Sequence, residues 1–398
     1  MKNALVLTST FPRWKNDSTP SFVYDLCSQL SRKYNIIVLA PHAYKSDKEE
    51  KLGNVKVHRF RYFYPKYQNI AYGAGILPNV KRSLIAKMQI PFFLLSQLRS
   101  ASRLIKKERI SILHAHWMIP QGILGTYMKK KYNTPLIVTI HGSDLFPLKN
   151  IAFRKIQKFV LESADEITVN SRIAKDELSS RFPALKKSIS IIPMGIDTKL
   201  FSRNSKLKKQ YKNQKVILFV GRLNEQKGIE YLIMSMEKVR KEIPKSKLLI
   251  IGEGDYRKHL EKTAHELGLS GNVEFLGPMQ KNKLPDYYSI ADVFVLPSAT
   301  TKIGTESFGL VLIEAMSCGA CVIGSSSGGI KEIIRDGKNG IIFQEKNHEE
   351  LAEKITALLK NNRLRSRLAK KGQQFARDNY DWGKISDKFL KVYERASK

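Results

Sequence analysis

Short apolar runs rich in Val, Ile and Leu recur along this chain, and each is followed by a segment with helical periodicity. In the first half they fall at Ala4–Thr10, Ile36–Ala40, Val55–Phe60, Ile112–His116, Leu136–Ile140, Glu166–Asn170 and Ser188–Pro193. In the second they fall at Val216–Val220, Lys247–Gly252, Val273–Leu276, Val293–Pro297, Cys321–Ser325 and Gly340–Phe343. Runs this continuously apolar belong to strands covered on both faces, and such strands form parallel sheets joined by helices. Two sets of these units in 398 residues predict two doubly wound, Rossmann-like α/β domains. The break is expected near Pro193-Met194-Gly195-Ile196-Asp197, giving domains 1–195 and 196–379. The polar, basic stretch from Thr198 to Gln214 reads as the linker, and Lys384–Ala396 as a last helix within 380–398.

Ligands of open α/β sheets bind beyond the carboxyl ends of the strands, so the loops there are the places to look. The most informative is Gly304-Thr305-Glu306-Ser307-Phe308-Gly309-Leu310, continuing to Glu314-Ala315-Met316-Ser317-Cys318-Gly319. Glu306 falls in a loop, and Glu314 more than one turn inside the helix that follows. A helix start offers unpaired N–H groups to a phosphate, and a carboxylate accepts hydrogen bonds from sugar hydroxyls. Phosphates at the helix start with a Glu for each carbohydrate ring suggest a nucleotide sugar. After Val216–Val220 comes Gly221-Arg222-Leu223-Asn224-Glu225-Gln226-Lys227-Gly228. Two cations there, where a helix start mildly disfavours them, can neutralise a diphosphate and stabilise it as it leaves.

These blocks resemble the E-x7-E and G-R-x3-K-G motifs of the retaining glycosyltransferases of family GT4, which have the GT-B fold. The resemblance covers nearly the whole chain. It implies two domains facing a central cleft, with the last helix crossing back onto the first domain. It implies that Arg222 and Lys227, beside Gly221, bind the donor diphosphate, that Glu306 binds sugar hydroxyls and that Glu314 binds the ribose. The amides of Ser307, Phe308, Gly309 and Leu310 would support the phosphate or the sugar. His141-Gly142-Ser143-Asp144, after Leu136–Ile140, resembles the family's H-G-x-D segment, which puts His141 at the donor sugar. The other reading of these two residues is structural, His141 capping the strand and Asp144 the helix. Family members need no metal and no cofactor beyond the donor, a UDP-sugar or GDP-mannose, so none is expected here.

Other features are less specific. His114 and His116 point the same way from their strand, which suits a metal pair or the lining of the cleft; the lining is the expectation. Where relatives carry a Gly-Gly turn after the first strand, this chain has Phe11-Pro12-Arg13-Trp14 and then Asn16-Asp17-Ser18-Thr19-Pro20-Ser21. Gly328-Gly329 and the turns Asp336-Gly337 and Asn339-Gly340 are assigned to the fold. Gly252-Glu253-Gly254-Asp255 is either a plain tight turn or lies near the base. Cys27, Cys318 and Cys321 are too few for a zinc site and fit a reducing cytoplasm. The start of the chain reads as a strand, without a signal-peptide cleavage site.

The net charge is +33, and from Lys51 to Ser143 sixteen Lys and Arg face one acid, Glu108. Such a field attracts anions. Aromatic and basic residues alternate from Arg59 to Lys107, which suits an anionic membrane surface or an acceptor groove; an ordinary amphipathic helix is the plain alternative. The expectation is therefore a hexosyl transferase of the cytoplasm, in polysaccharide or glycolipid biosynthesis, peripheral on the inner face of the cell membrane. Its acceptor would be a carbohydrate or lipid-linked hydroxyl. A phosphorylase or epimerase on the same fold fits the motifs less well. A nucleic-acid- or anion-binding protein on a non-catalytic GT-B scaffold would explain the charge but not Glu306 and Glu314 beside Arg222 and Lys227, so no nucleic acid is expected.

Overall fold

A computed structural model describes residues 1–397 apart from 16, 18, 74, 204–206, 208 and 303. Asn16 and Ser18 of the first polar loop, and part of the expected linker, lie outside the described residues. The chain divides into two units, Met1–Gly195 with Trp382 onward, and Ile196–Asp381.

The first unit runs β1 (Lys2–Leu7), α1 (Phe22–Leu30), β2 (Tyr34–Pro41), β3 (Glu49–Leu52), β4 (Val55–Phe60), α2 (Ile76–Arg82) and α3 (Leu84–Lys107). It continues with β5 (Ile112–His116), α4 (Ile123–Tyr132), β6 (Leu136–Ile140), α5 (Ile151–Ser163), β7 (Glu166–Val169), α6 (Arg172–Arg181) and β8 (Ile189–Ile191). Its eight strands lie in the order β3-β4-β2-β1-β5-β6-β7-β8. All neighbours are parallel except β3 and β4. The apolar runs account for every strand but β3. Glu49-Glu50-Lys51-Leu52 has no buried residue, because an antiparallel edge strand need not face a core.

The second unit runs β9 (Lys215–Val220), α7 (Ile229–Glu242), β10 (Ser246–Ile251), α8 (Arg257–Glu266), β11 (Val273–Gly277), α9 (Leu284–Ile290) and β12 (Val293–Leu296). Then come α10 (Leu310–Ser317), β13 (Cys321–Ser325), α11 (Ile330–Ile333), β14 (Ile341–Phe343), α12 (His348–Lys360) and α13 (Asn362–Tyr380). The sheet order is β11-β10-β9-β12-β13-β14, parallel throughout. The stretch Thr198–Gln214, expected as the inter-domain linker, contributes side chains to the second unit's core. Phe201 is fully buried in the core of this unit and Tyr211 nearly so, which ties the segment down despite its polar composition.

The last helix, α14 (Trp382–Ala396), belongs to the first unit. Its buried side chains Ile385, Phe389 and Tyr393 recur at helical spacing and form its inner face. Arg32, just after α1, donates to Ser386 Oγ at 2.6 Å, the Tyr34 and Tyr393 rings lie 5.0 Å apart, and Arg395 makes a two-point pair with Glu166 of β7.

In each sheet the connections reverse direction once, between β1 and β5 in the first and between β9 and β12 in the second. A crevice opens at the carboxyl ends of such a strand pair. Both candidate sites begin there.

Candidate active site

In the second unit the segment after β9 and the segment after β12 meet. Lys227 closes a short 3-10 turn, Glu225–Lys227, that starts at Asn224, whose side chain accepts the Lys227 N–H at 3.2 Å. Gln226 O accepts from Ala299 N at 2.8 Å, which pins the turn to the end of β12. Gly228 has φ +61° and lies so close to Pro297 that a Cβ would sit 2.0 Å from its carbonyl oxygen. Only glycine lets the turn approach the strand that far.

This approach delivers Lys227 Nζ to Glu306 Oε2 at 2.5 Å. Ser298, fully buried, donates its hydroxyl to the same oxygen at 3.0 Å. Burial pushes the Glu306 carboxyl up, but the Lys227 charge and hydrogen bond, the Ser298 hydroxyl and the Phe308 N–H outweigh it, and Glu306 sits below the usual range. The Glu306 loop is held from behind. Gly329 N donates to Glu306 O at 2.9 Å. At Gly328, φ +51°, a Cβ would lie 2.0 Å from Glu306 O. The Gly328-Gly329 pair, read from sequence as part of the fold, is thus also the rest on which the Glu306 loop lies.

Arg222 follows β9, where Gly221 N donates to Ile251 O at 3.0 Å. The Glu253 turn braces this loop, since Leu223 N donates to Glu253 O at 3.0 Å and Tyr256 N to Leu223 O at 3.1 Å. Arg222 is exposed, yet desolvation by surrounding protein lowers its pKa, with Asp255 opposing.

Gly309 caps α10, Leu310 is its first residue, and Phe308 is buried with its ring 5.8 Å from that of Tyr380. The first N–H groups of α10 have no intrahelical acceptor. Glu314, one turn further in, is buried and accepts the Tyr288 hydroxyl at 2.9 Å. Tyr288 and Ser298 carried no signal in the sequence, since a Tyr in an apolar helix and a Ser after a strand are ordinary core and turn residues.

The first unit holds a different kind of cluster. His141 follows β6, and its Nε2 lies 2.9 Å from His116 Nδ1 with the rings stacked. The His116 and His114 rings are 4.3 Å apart. His114 Nδ1 meets the Tyr393 hydroxyl at 2.9 Å, and its Nε2 meets Thr139 Oγ1 at 2.7 Å. The expectation that His114 and His116 line a cleft is corrected: both are fully buried. Both His114 nitrogens and His116 Nδ1 are spent on neighbours, and His116 Nε2 is buried without a hydrogen-bond partner. Among the described residues no group of three or more His, Cys, Asp or Glu is arranged to hold a metal ion.

Burial lowers the pKa of His114 and of His141 to about 3, and carries His116 well below its ordinary value. All three are neutral at pH 7. His141 alone of the three keeps some exposed surface, with Phe22 and Trp117 packed at 5.1 and 4.7 Å. Asp144 accepts from Met118 N at 2.6 Å and His141 N at 3.2 Å, and burial raises its pKa to about 6. Its role here is to brace the backbone around His141.

The family model described as Glycosyltransferase Family 4 matches residues 20–200, and that described as Glycosyl transferases group 1 matches residues 201–375. The chain is 30% identical over 335 residues to an uncharacterized glycosyltransferase of Methanocaldococcus jannaschii, covering 84% of this chain and 89% of that one. It is 27% identical to the GDP-mannose-dependent alpha-(1-6)-phosphatidylinositol monomannoside mannosyltransferase of Mycolicibacterium smegmatis, over 70% of this chain and 75% of the relative. Among solved structures, sucrose-phosphate synthase from Thermosynechococcus elongatus matches with a TM-score of 0.82, 99% of each chain covered and 21% identity. The chain therefore belongs to the family 4, group 1 glycosyltransferases and has the GT-B fold.

Proposed function

We propose that this glycosyltransferase moves a hexosyl group from a nucleotide-diphosphate sugar, UDP- or GDP-linked, to a hydroxyl of a lipid-linked or glycoconjugate acceptor at an anionic membrane surface, with retention of configuration and without a metal ion. The observation that carries the reading is the contact of Lys227 with Glu306. It sets a cation suited to a diphosphate against a carboxylate suited to sugar hydroxyls. An ammonium has three donors, so Lys227 can keep Glu306 and still meet a phosphate. Arg222 adds a second cation, and the start of α10 adds the amides of Gly309 and Leu310, the Phe308 N–H being given to Glu306. Tyr288 orients Glu314 for the ribose.

His141, neutral, offers a hydrogen bond to the donor sugar rather than a charge. The C1–O bond to the diphosphate breaks and the acceptor oxygen bonds C1 on the same face, its proton passing to the departing phosphate. The protein contributes positioning and leaving-group stabilisation. The lipid-linked acceptor is supported by the phosphatidylinositol mannoside named for the mycobacterial relative.

The test is a thermal shift with UDP, GDP, ADP and their sugar conjugates. Binding to the folded state raises the melting temperature by mass action, so one base should stabilise the chain preferentially. No shift with any nucleotide would sink the proposal.

A further inference from the structure

Helix α3 has one buried face and one open apolar face over its first three turns. One face, with Ala86, Gln89 and Phe93, is buried in the first unit. The other carries Leu84, Ile85, Met88, Phe92 and Leu95 and lies open, with Leu84 74%, Met88 72% and Phe92 54% exposed. The loop after β4 adds Phe63 and Tyr64, the latter 75% exposed. The Phe63 ring lies 6.2 Å from that of Phe92 and 5.8 Å from that of Tyr64, so loop and helix form one surface. An open apolar patch of this kind marks an interaction surface.

The cations decide between occupants. Lys66, Lys81, Arg82, Lys87 and Arg99 are exposed on the same loop and helices, within the stretch from Lys51 to Ser143 that holds one acid. A second copy meeting this face about a two-fold axis would set that excess against itself. Nucleic acid would take the cations and leave Leu84, Ile85 and Met88 in water. An anionic bilayer satisfies both, because its phosphates meet the cations while its acyl boundary takes the apolar groups. Aromatic side chains such as Phe63 and Tyr64 suit that boundary. Among the described residues no helix is long and apolar enough to cross a membrane, so α3 would lie along the surface.

We propose that the first turns of α3, with the Phe63-Tyr64 loop, dock this chain on an anionic lipid bilayer. This deepens the membrane-surface part of the proposed function and rests on that reading for its purpose. Lipid binding itself is measured without donor or acceptor, so either reading can fail alone.

The experiment is flotation of the full chain with vesicles of phosphatidylcholine, with and without phosphatidylglycerol at roughly one-third. Wild type should float with the mixed vesicles and stay down with the neutral ones, and salt should weaken binding. The M88D/F92D double variant should lose at least about tenfold in partition at an unchanged melting temperature, since exposed positions contribute little to folding. Should it melt early, K81E/R82E keeps the test open and should lose about tenfold or more through charge alone. Equal flotation with both vesicle types would overturn the proposal. So would flotation of M88D/F92D equal to wild type, or no flotation together with a dimer that M88D/F92D dissolves.

Discussion

The two clusters at the ends of the two sheets solve opposite problems. In the second unit, glycine turns bring the Lys227 ammonium against the Glu306 carboxylate, and Lys227 holds Glu306 ionised although it is largely buried. In the first unit, three imidazoles are stacked with their charge removed by burial. The ion-paired cluster depends on close backbone approach, because a missing partner strands a charge in protein. The imidazole cluster depends on exclusion of water and of protons. A substitution should therefore act mainly on turnover in one and, His141 apart, mainly on stability in the other.

The sharpest way to break that contrast is Lys227→Met. It removes a cation from the proposed diphosphate site and leaves Glu306 without its counter-charge, and turnover should fall by about 10²–10³. Steady-state kinetics with the donor found in the nucleotide screen checks this. Arg222→Ala should likewise lower turnover far more than it moves the melting temperature.

Gly328→Ala comes next. It touches no ligand, but its Cβ would meet Glu306 O at 2.0 Å, so the loop must shift. A left-handed alanine with such a contact should cost more than about 2 kcal/mol in denaturant unfolding and lower turnover as well. Full activity in this variant would show that the Glu306 loop does not need its rest.

Acid tests the imidazole cluster. In the fold His114 and His141 stay neutral down to about pH 3, whereas in the unfolded chain they take up protons near pH 6.5. The unfolded state then binds more protons, so stability falls as the pH drops from about 6.5, by about 1.4 kcal/mol per unit for each histidine. Asp144 works in the opposite sense between about pH 6 and 4, because the folded state keeps its proton longer. The histidines should prevail, and melting temperatures measured from pH 7 to pH 4 should fall. The smallest effect is expected from Tyr393→Phe, which deprives buried His114 Nδ1 of its partner and should cost about 1–3 kcal/mol with little change in turnover.

Much of this was legible in the sequence. The apolar runs located the strands of both sheets, since burial on two faces leaves continuous Val, Ile and Leu. Glu49–Leu52 escaped because an edge strand needs no such run. The motifs marked Arg222, Lys227, Glu306 and Glu314, but not that Lys227 reaches Glu306 across 79 positions. Nor did they show that Gly328 supports the Glu306 loop. His114 and Tyr393 lie 279 positions apart, and neither residue type announces the other. Contacts of that separation are set by tertiary packing, which local pattern does not encode. Phe201 was lost in a basic stretch because a single aromatic gives no periodicity.

The path of the chain has a consequence for the order in which the protein can form. The second unit is continuous, and its two ends meet: Ile196 pairs with Asp381, and Thr198 Oγ1 donates to Asp381 at 2.5 Å. The first unit is interrupted, and Gly195 packs so tightly on Trp382 that a Cβ would sit 2.7 Å from the indole. Until residues 382–396 have been synthesised, His114 has no Tyr393 and α1 has no α14 to cover it. On the ribosome the part of the chain made first is thus finished last, and the inserted unit, made in the middle, is the one able to close on its own.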